Sequence, residues 1–172
     1  MGSQRYLIAL GSNVRHPRHG PPRAVLQAAL HALDRAGLQV EAASRIVETA
    51  PLGPSRRRYA NAAAIVRTDL EPEAMLRELQ RIEHALGRRR TGQRWGARVL
   101  DLDIVLWSGG AFAVHGLTIP HPAFRQRRFV LAPGAQIAGD WRDPIGGLTL
   151  RQLFARLTRN HPLPRATAWS GP

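Results

Sequence analysis

The chain opens on a short apolar run, Tyr6-Leu7-Ile8-Ala9-Leu10, ended by Gly11-Ser12-Asn13, the pattern of a buried strand entering a turn. Pro21-Pro22 then introduces Val25, Leu26, Ala29, Leu30 and Leu33 at helical spacing, and Gly37 sits where a helix C-cap belongs. Residues 38–49 alternate loosely as a strand, residues 50–58 are a Pro, Gly and Arg-rich loop, and residues 59–68 read as a second strand that can pair with the first. Asp69 to Glu73 carries acidic and proline helix-start signals; Met75, Leu79, Ile82 and Leu86 recur at steps of 4, 3 and 4, and Gly87 closes the run. Residues 99–107 then form a buried strand. Because strand side chains alternate, Leu100, Leu102, Ile104 and Leu106 are expected on one face and Asp101, Asp103, Val105 and Trp107 on the other. The order βαββαβ suggests an α+β, ferredoxin-like core, an antiparallel sheet with two helices packed on one face. After it the pattern predicts a hairpin, a basic run Arg125-Gln126-Arg127-Arg128, and a helix over 149–157. Residues 1–160 are expected to form a single domain and 161–172, with Pro162, Pro164, Gly171 and Pro172, a loose tail.

Composition narrows the chemistry. A chain of 172 residues with 44% hydrophobic content can bury one core, and the lack of cysteine excludes disulfide scaffolds, thiolate zinc sites and thiol nucleophiles. No apolar run approaches the ~20 residues of a membrane span, so a soluble, cytoplasmic protein is expected, with no membrane partner. All 25 basic residues are arginine, against 12 acids, for a net charge of +13. Without lysine there is no Schiff base and no Walker-A ammonium.

The excess charge has three readings: a polyanion-binding surface, an enzyme for phosphate-bearing substrates, or compositional bias toward arginine. Its distribution is uneven. Residues 56–58, 88–98 and 125–128 hold 11 arginines and no acid, while the rest of the chain nearly balances.

Asp101 and Asp103 are the sharpest candidates for chemistry. Two carboxylates at i and i+2 on one strand face project side by side among apolar neighbours, which makes an uncompensated charge costly. Salt bridges to arginines would neutralise them, and so would Mg²⁺, the metal that hard oxygen donors without cysteine favour. Arg88, Arg89, Arg90, Arg94 and Arg98 immediately precede the pair, on a segment with Thr91, Gly92 and Gly96 that reads as a mobile loop. As a solvated charge run it would do little; beside a metal–nucleotide site it could close over phosphates. No phosphate-binding P-loop motif is present.

These residues fall into a familiar order. Arg88-x-Arg90-x-x-x-Arg94-Trp95-Gly96-Ala97-Arg98-Val99-Leu100-Asp101-Leu102-Asp103-Ile104 resembles the signature of the 6-hydroxymethyl-7,8-dihydropterin pyrophosphokinase family. Ala9-Leu10-Gly11-Ser12-Asn13, Glu48-Thr49-Ala50-Pro51-Leu52-Gly53-Pro54, Tyr59-x-Asn61-Ala62-Ala63, Ile119-Pro120-His121-Pro122 and Arg127-x-Phe129-Val130-Leu131 extend the resemblance over roughly residues 5 to 140.

The resemblance implies transfer of the diphosphate of ATP to the hydroxymethyl group of the pterin, in folate biosynthesis. It implies that Asp101 and Asp103 hold two Mg²⁺ ions, that Arg88 and Arg98 assist transfer from a catalytic loop, and that Arg90, Arg94 and Arg127 face the nucleotide. Gln80, Glu83, Ile104, Thr118 and His121 match the remaining ATP-pocket positions. For the pterin, it implies stacking by Tyr59 and Phe129, edge recognition by Asn61, closure by Trp95, and backbone contacts from Thr49, Ala50 and Leu52. An amide such as Asn61 offers both a donor and an acceptor to a ring edge that displays both. Ala97 departs from the proline usual in the family. Thr91 and Gly116 replace residues that are basic in some members.

A ferredoxin-like sheet with basic surface is also an RNA-binding architecture, but that module needs exposed aromatics on its central strands. Here aromatics are 6% of the chain and the strands at 6–10 and 60–67 carry almost none, so no nucleic-acid partner is expected. The expected partners are ATP and hydroxymethyl-dihydropterin, and the expected state is a monomer.

Overall fold

The computed structural model describes residues 2–49, 58–87 and 99–159. The strands expected at 6–10, 59–68 and 99–107 are β1 (Gln4–Ser12), β4 (Tyr59–Thr68) and β5 (Asp101–Trp107). Residues 38–49 form two strands, β2 (Gln39–Ala43) and β3 (Val47–Thr49), both antiparallel to β4. Ser44 makes the joint between them: its Oγ accepts from the Ala63 amide at 2.9 Å and its own amide donates to Ala63 O. The sheet runs β2-β4-β1-β5 with β3 continuing the β2 edge. The ferredoxin-like expectation holds.

Helices α1 (Pro22–Arg35) and α2 (Pro72–Ala85) each begin on a proline, whose missing N–H costs nothing in the first turn. Each is followed by a glycine at positive φ, Gly37 at 77° and Gly87 at 91°, a conformation side-chain-bearing residues resist. Both helices lie on one sheet face. Their Val25, Leu26, Ala29, Leu33, Met75, Leu79 and Ile82 pack on Ile8, Leu10, Ala62, Ala64, Leu102 and Ile104 to form the larger core. Each fully buried leucine there contributes about 1.5–3 kcal/mol.

The opposite face is covered over part of its length. Helices α3 (Arg128–Ala138) and α4 (Leu150–Thr158) bring Val130, Leu131, Ala138, Leu150 and Leu153 against Leu7, Ala63, Ile65, Val105 and Leu106. Thr149 caps α4 reciprocally with Gln152, as the pattern at 149–157 anticipates. The hairpin expected after Ser108 is β6 (Phe112–Val114) with β7 (Leu117–Ile119).

Two readings need correction. Helix α3 is absent from the sequence pattern because Pro133 and Gly134 interrupt it and its first residues belong to the basic run. The alternation expected along β5 fails after Ile104. Ile8 pairs with Ile104 but Leu7 pairs with Leu106, so Val105 is an inserted residue. Leu106 therefore joins the α3/α4 core, and Trp107 turns to the other face, where it stacks near Tyr6 with ring centroids 6.3 Å apart. The tail expected at 161–172 and the loops at 50–57 and 88–98 lie outside the described residues. Among the described residues no helix is long and apolar enough to cross a membrane.

Candidate active site

On the α3/α4 side, β3, β4, β1 and β5 place Val47, Asn61, Gly11 and Asp101 in one cross-strand row. The next row along, Ala63, Ala9 and Asp103, shares that face. Three polar side chains thus break an otherwise apolar surface: Asn61, 8% exposed, on the central strand, and the two aspartates on the edge. Gly11 between them contributes no side chain. A Cβ there would sit 3.4 Å from Asn61 Oδ1, so the glycine keeps the floor between amide and carboxylate open. With strands about 4.8 Å apart, the backbones carrying Asn61 and Asp101 stand roughly 10 Å from one another, room for a small molecule between them.

At the opposite end of the row, Tyr59 begins β4 and pairs with the exposed Thr49 of β3. Phe129, in the first turn of α3, is 44% exposed, and the guanidinium of Arg127 lies 5.8 Å from its ring centroid. That is within the range of a cation–π contact.

Beyond the β5 edge opens a cavity of about 290 Å³, lined by Leu76 of α2, Asp103 and Ile104 of β5, Leu117 and Thr118 of β7, and His121. His121 anchors its segment to the strand through its amide, which donates to Val105 O at 3.1 Å. Burial is the largest influence on its imidazole and lowers its pKa below the ordinary value. Asp103 opposes that shift, Arg127 adds to it, and Asp101 opposes it more weakly, which places all four groups within electrostatic reach of one another. Its Nδ1 accepts from the Ala123 amide at 3.2 Å, so the neutral ring carries its proton on Nε2.

The pattern of the 7,8-dihydro-6-hydroxymethylpterin-pyrophosphokinase (HPPK) family matches residues 7–139. The chain belongs to this family. It is 38% identical over 152 residues to a 2-amino-4-hydroxy-6-hydroxymethyldihydropteridine pyrophosphokinase of Synechocystis sp., covering 88% of this chain and 75% of the relative. A protein of the same name from Pseudomonas aeruginosa is 41% identical over 145 residues, 83% of this chain and 86% of the relative. Among solved structures, Plasmodium falciparum HPPK-DHPS matches with a TM-score of 0.69 at 14% identity. That likeness covers 90% of this chain but 41% of the solved one, and it establishes the shared fold.

Of the residues expected at an HPPK site, the described structure brings Asn61, Asp101, Asp103, Thr49 and Tyr59 to one sheet face or its margin, and Asp103, Ile104, Thr118 and His121 to one cavity. Arg127 and Phe129 meet each other. Gln80 is exposed on α2, whereas Glu83 is buried and accepts from the Leu102 amide. Ala50, Leu52, Arg88, Arg90, Arg94, Trp95 and Arg98 fall outside the described residues.

Gly11 is the site residue that reading the sequence treats only as a turn; its position opposite both Asn61 and Asp101 becomes visible only once strand register is known. Arg125 is a correction of another kind. Its guanidinium donates twice to Asp143, Nε to Oδ2 at 2.6 Å and Nη2 to Oδ1 at 2.7 Å, and lies over the Phe124 ring. One arginine of the acid-free run 125–128 is therefore neutralised by a distant acid and braces the C-terminal turn at residues 143–147, where the Gly147 amide donates to Asp143 O.

Among the described residues no three His, Cys, Asp or Glu side chains gather as a metal-binding group. Two hard carboxylates on one face still fit magnesium, which takes one or two carboxylates together with water and substrate phosphates and does not need an all-protein cage.

Proposed function

We infer that the chain transfers the diphosphate of ATP to the hydroxymethyl group of 6-hydroxymethyl-7,8-dihydropterin, giving AMP and the pterin diphosphate in folate biosynthesis. The hydroxymethyl oxygen bonds to the β-phosphorus as the bond from that phosphorus to the α-phosphoryl oxygen breaks; AMP leaves with that oxygen and the hydroxyl proton passes to solvent. Residues 1–160 would carry the whole reaction as one soluble, monomeric domain.

The observation that supports this most is the row Asn61–Gly11–Asp101, an amide suited to a pterin edge and a carboxylate suited to a metal, separated by an open floor. In this reading Asn61 holds the pterin edge, Tyr59 and Phe129 flank the ring, and Thr49, Ala50, Leu52 and Trp95 complete the pocket. Gln80, Ile104, Thr118 and His121 shape the nucleotide side, with Glu83 buried behind β5, Arg90, Arg94 and Arg127 directed to the phosphates, and Arg88 and Arg98 assisting transfer. Asp101 and Asp103 would hold two Mg²⁺ ions, which when bound neutralise charge developing on the phosphoryl oxygens. The protein's own task is alignment: it must bring the hydroxymethyl oxygen within near-attack distance of the phosphorus and keep water from competing.

Incubating the chain with MgATP and hydroxymethyl-dihydropterin and following AMP tests the reading. AMP release that requires the pterin is expected; AMP independent of it, or none, overturns the reading.

A further inference from the structure

Among the described residues β5 is the outer strand of the sheet, and an outer strand leaves alternate backbone groups without a ladder partner. In the pairing with β1, Gly11 faces Asp101, Leu10 faces Leu102 and Ala9 faces Asp103. The Leu102 amide is bonded from outside the sheet: Glu83 of α2 accepts from it through Oε1 at 2.7 Å. Glu83 is 3% exposed, so this is a charge-assisted bond made in the core, where such a bond is strongest and an orphaned amide most costly. Farther along, Val105 O accepts from the His121 amide. Among the described residues these bonds from Glu83 and His121 hold the outer edge of β5, and the first lies between the two site carboxylates.

We propose that Glu83 is a positioning residue for Asp101 and Asp103. Its carboxylate holds the Leu102 amide and thereby fixes the strand segment that sets the spacing and direction of the two flanking carboxylates. A metal–phosphate constellation tolerates displacements of only about 0.5 Å, and an unbonded Leu102 amide would remove the bond that resists a shift between the two carboxylates. The helix does this through geometry already present in its sequence. Met75, Leu79 and Ile82 turn one side of α2 into the core, and Glu83, next to Ile82, is carried inward with them, while Gln80 stays exposed. The inference rests on the assignment of Asp101 and Asp103 to the reaction, and it places Glu83 behind them in a role distinct from direct nucleotide contact.

The test joins two readouts. In the substrate-free, ¹⁵N-labelled chain, Glu83→Ala is expected to speed hydrogen exchange of the Leu102 amide by about tenfold or more while the Leu10 and Ala62 amides stay within about threefold. Glu83→Gln, which keeps an oxygen within reach, is expected to remain within about threefold of the parent at all three positions. In steady state, Glu83→Ala is expected to lower kcat by about tenfold or more and raise the Mg²⁺ concentration for half-maximal rate, with the KM for ATP at saturating Mg²⁺ changed by less than about threefold. Unchanged Leu102 exchange overturns the proposal. So does a raised KM for ATP with kcat preserved, the signature of a direct nucleotide contact, or a Glu83→Gln variant as impaired as Glu83→Ala. Should Glu83→Ala not fold, Glu83→Asp, one methylene short, carries the same expectations and the same refutations. Amide exchange is read without substrates, so it judges the anchoring bond even if no pterin-dependent AMP is formed.

Discussion

The two faces of this one sheet are built to different ends. Against α1 and α2, β1, β4 and β5 present Ile8, Leu10, Ala62, Ala64, Leu102 and Ile104, an unbroken apolar surface that two amphipathic helices close. Against α3 and α4 the same strands present Leu7, Ala63, Ile65 and Val105 at one end, then Asn61, Gly11, Asp101 and Asp103 at the other. Alternation lets each strand serve both purposes, since a residue and its neighbour face opposite ways. The closed face secures the backbone, and the open end of the other face spends that rigidity on placing an amide and two carboxylates.

Mutations should therefore separate by face. The largest effect is expected from Asp103→Ala, which should reduce turnover by about 10³-fold or more, on the scale of losing a principal electrostatic contact, with the thermal midpoint nearly unchanged. Its opposite-face counterpart, Leu79→Ala, should cost about 2–5 kcal/mol in urea denaturation, with the KM values of both substrates held. An Asp103→Ala chain that is destabilised but active, or a Leu79→Ala chain that is stable but inactive, would erase the distinction.

A smaller effect is expected at Asp143, which lies on neither face and braces the C-terminal turn. Its carboxylate is buried, and the Arg125 guanidinium is the main cause of a pKa below the usual carboxylate value. A lowered folded-state pKa gives stability that is complete above the unfolded value near 4 and is lost as pH falls through the folded value. Asp143→Asn should remove about 1.5–3 kcal/mol at pH 7 and flatten the loss of stability on acidification, as read by urea titrations across that range. The smallest effect sharpens the comparison most. Gly11→Val should fill the floor beside Asn61 and raise the pterin KM by about 10- to 100-fold with MgATP binding little changed.

Much of this was legible along the chain, and the exceptions have physical causes. Tyr59–Thr68 and the two helices declare themselves through period-two and period-3.6 patterns bounded by Pro and Gly. Asp101 and Asp103 stand out because carboxylates on a buried strand are costly. The inserted Val105 left no mark, since a bulge needs no particular residue, and it reversed Leu106 and Trp107. Helix α3 was hidden because its stability comes from packing Val130 and Leu131 onto the sheet, which offsets the poor propensities of Pro133 and Gly134. Gly11 as a gap and Glu83 as an anchor are relations between strands and helix, visible only in three dimensions.

The most direct test is a crystal structure of the chain with Mg²⁺, a non-transferable ATP analogue and hydroxymethyl-dihydropterin. The pterin edge is predicted to bond Asn61 above Gly11, with the β-phosphate between the hydroxymethyl group and Asp101 and Asp103. A pterin seated away from Asn61, or phosphates remote from both aspartates, would contradict the account.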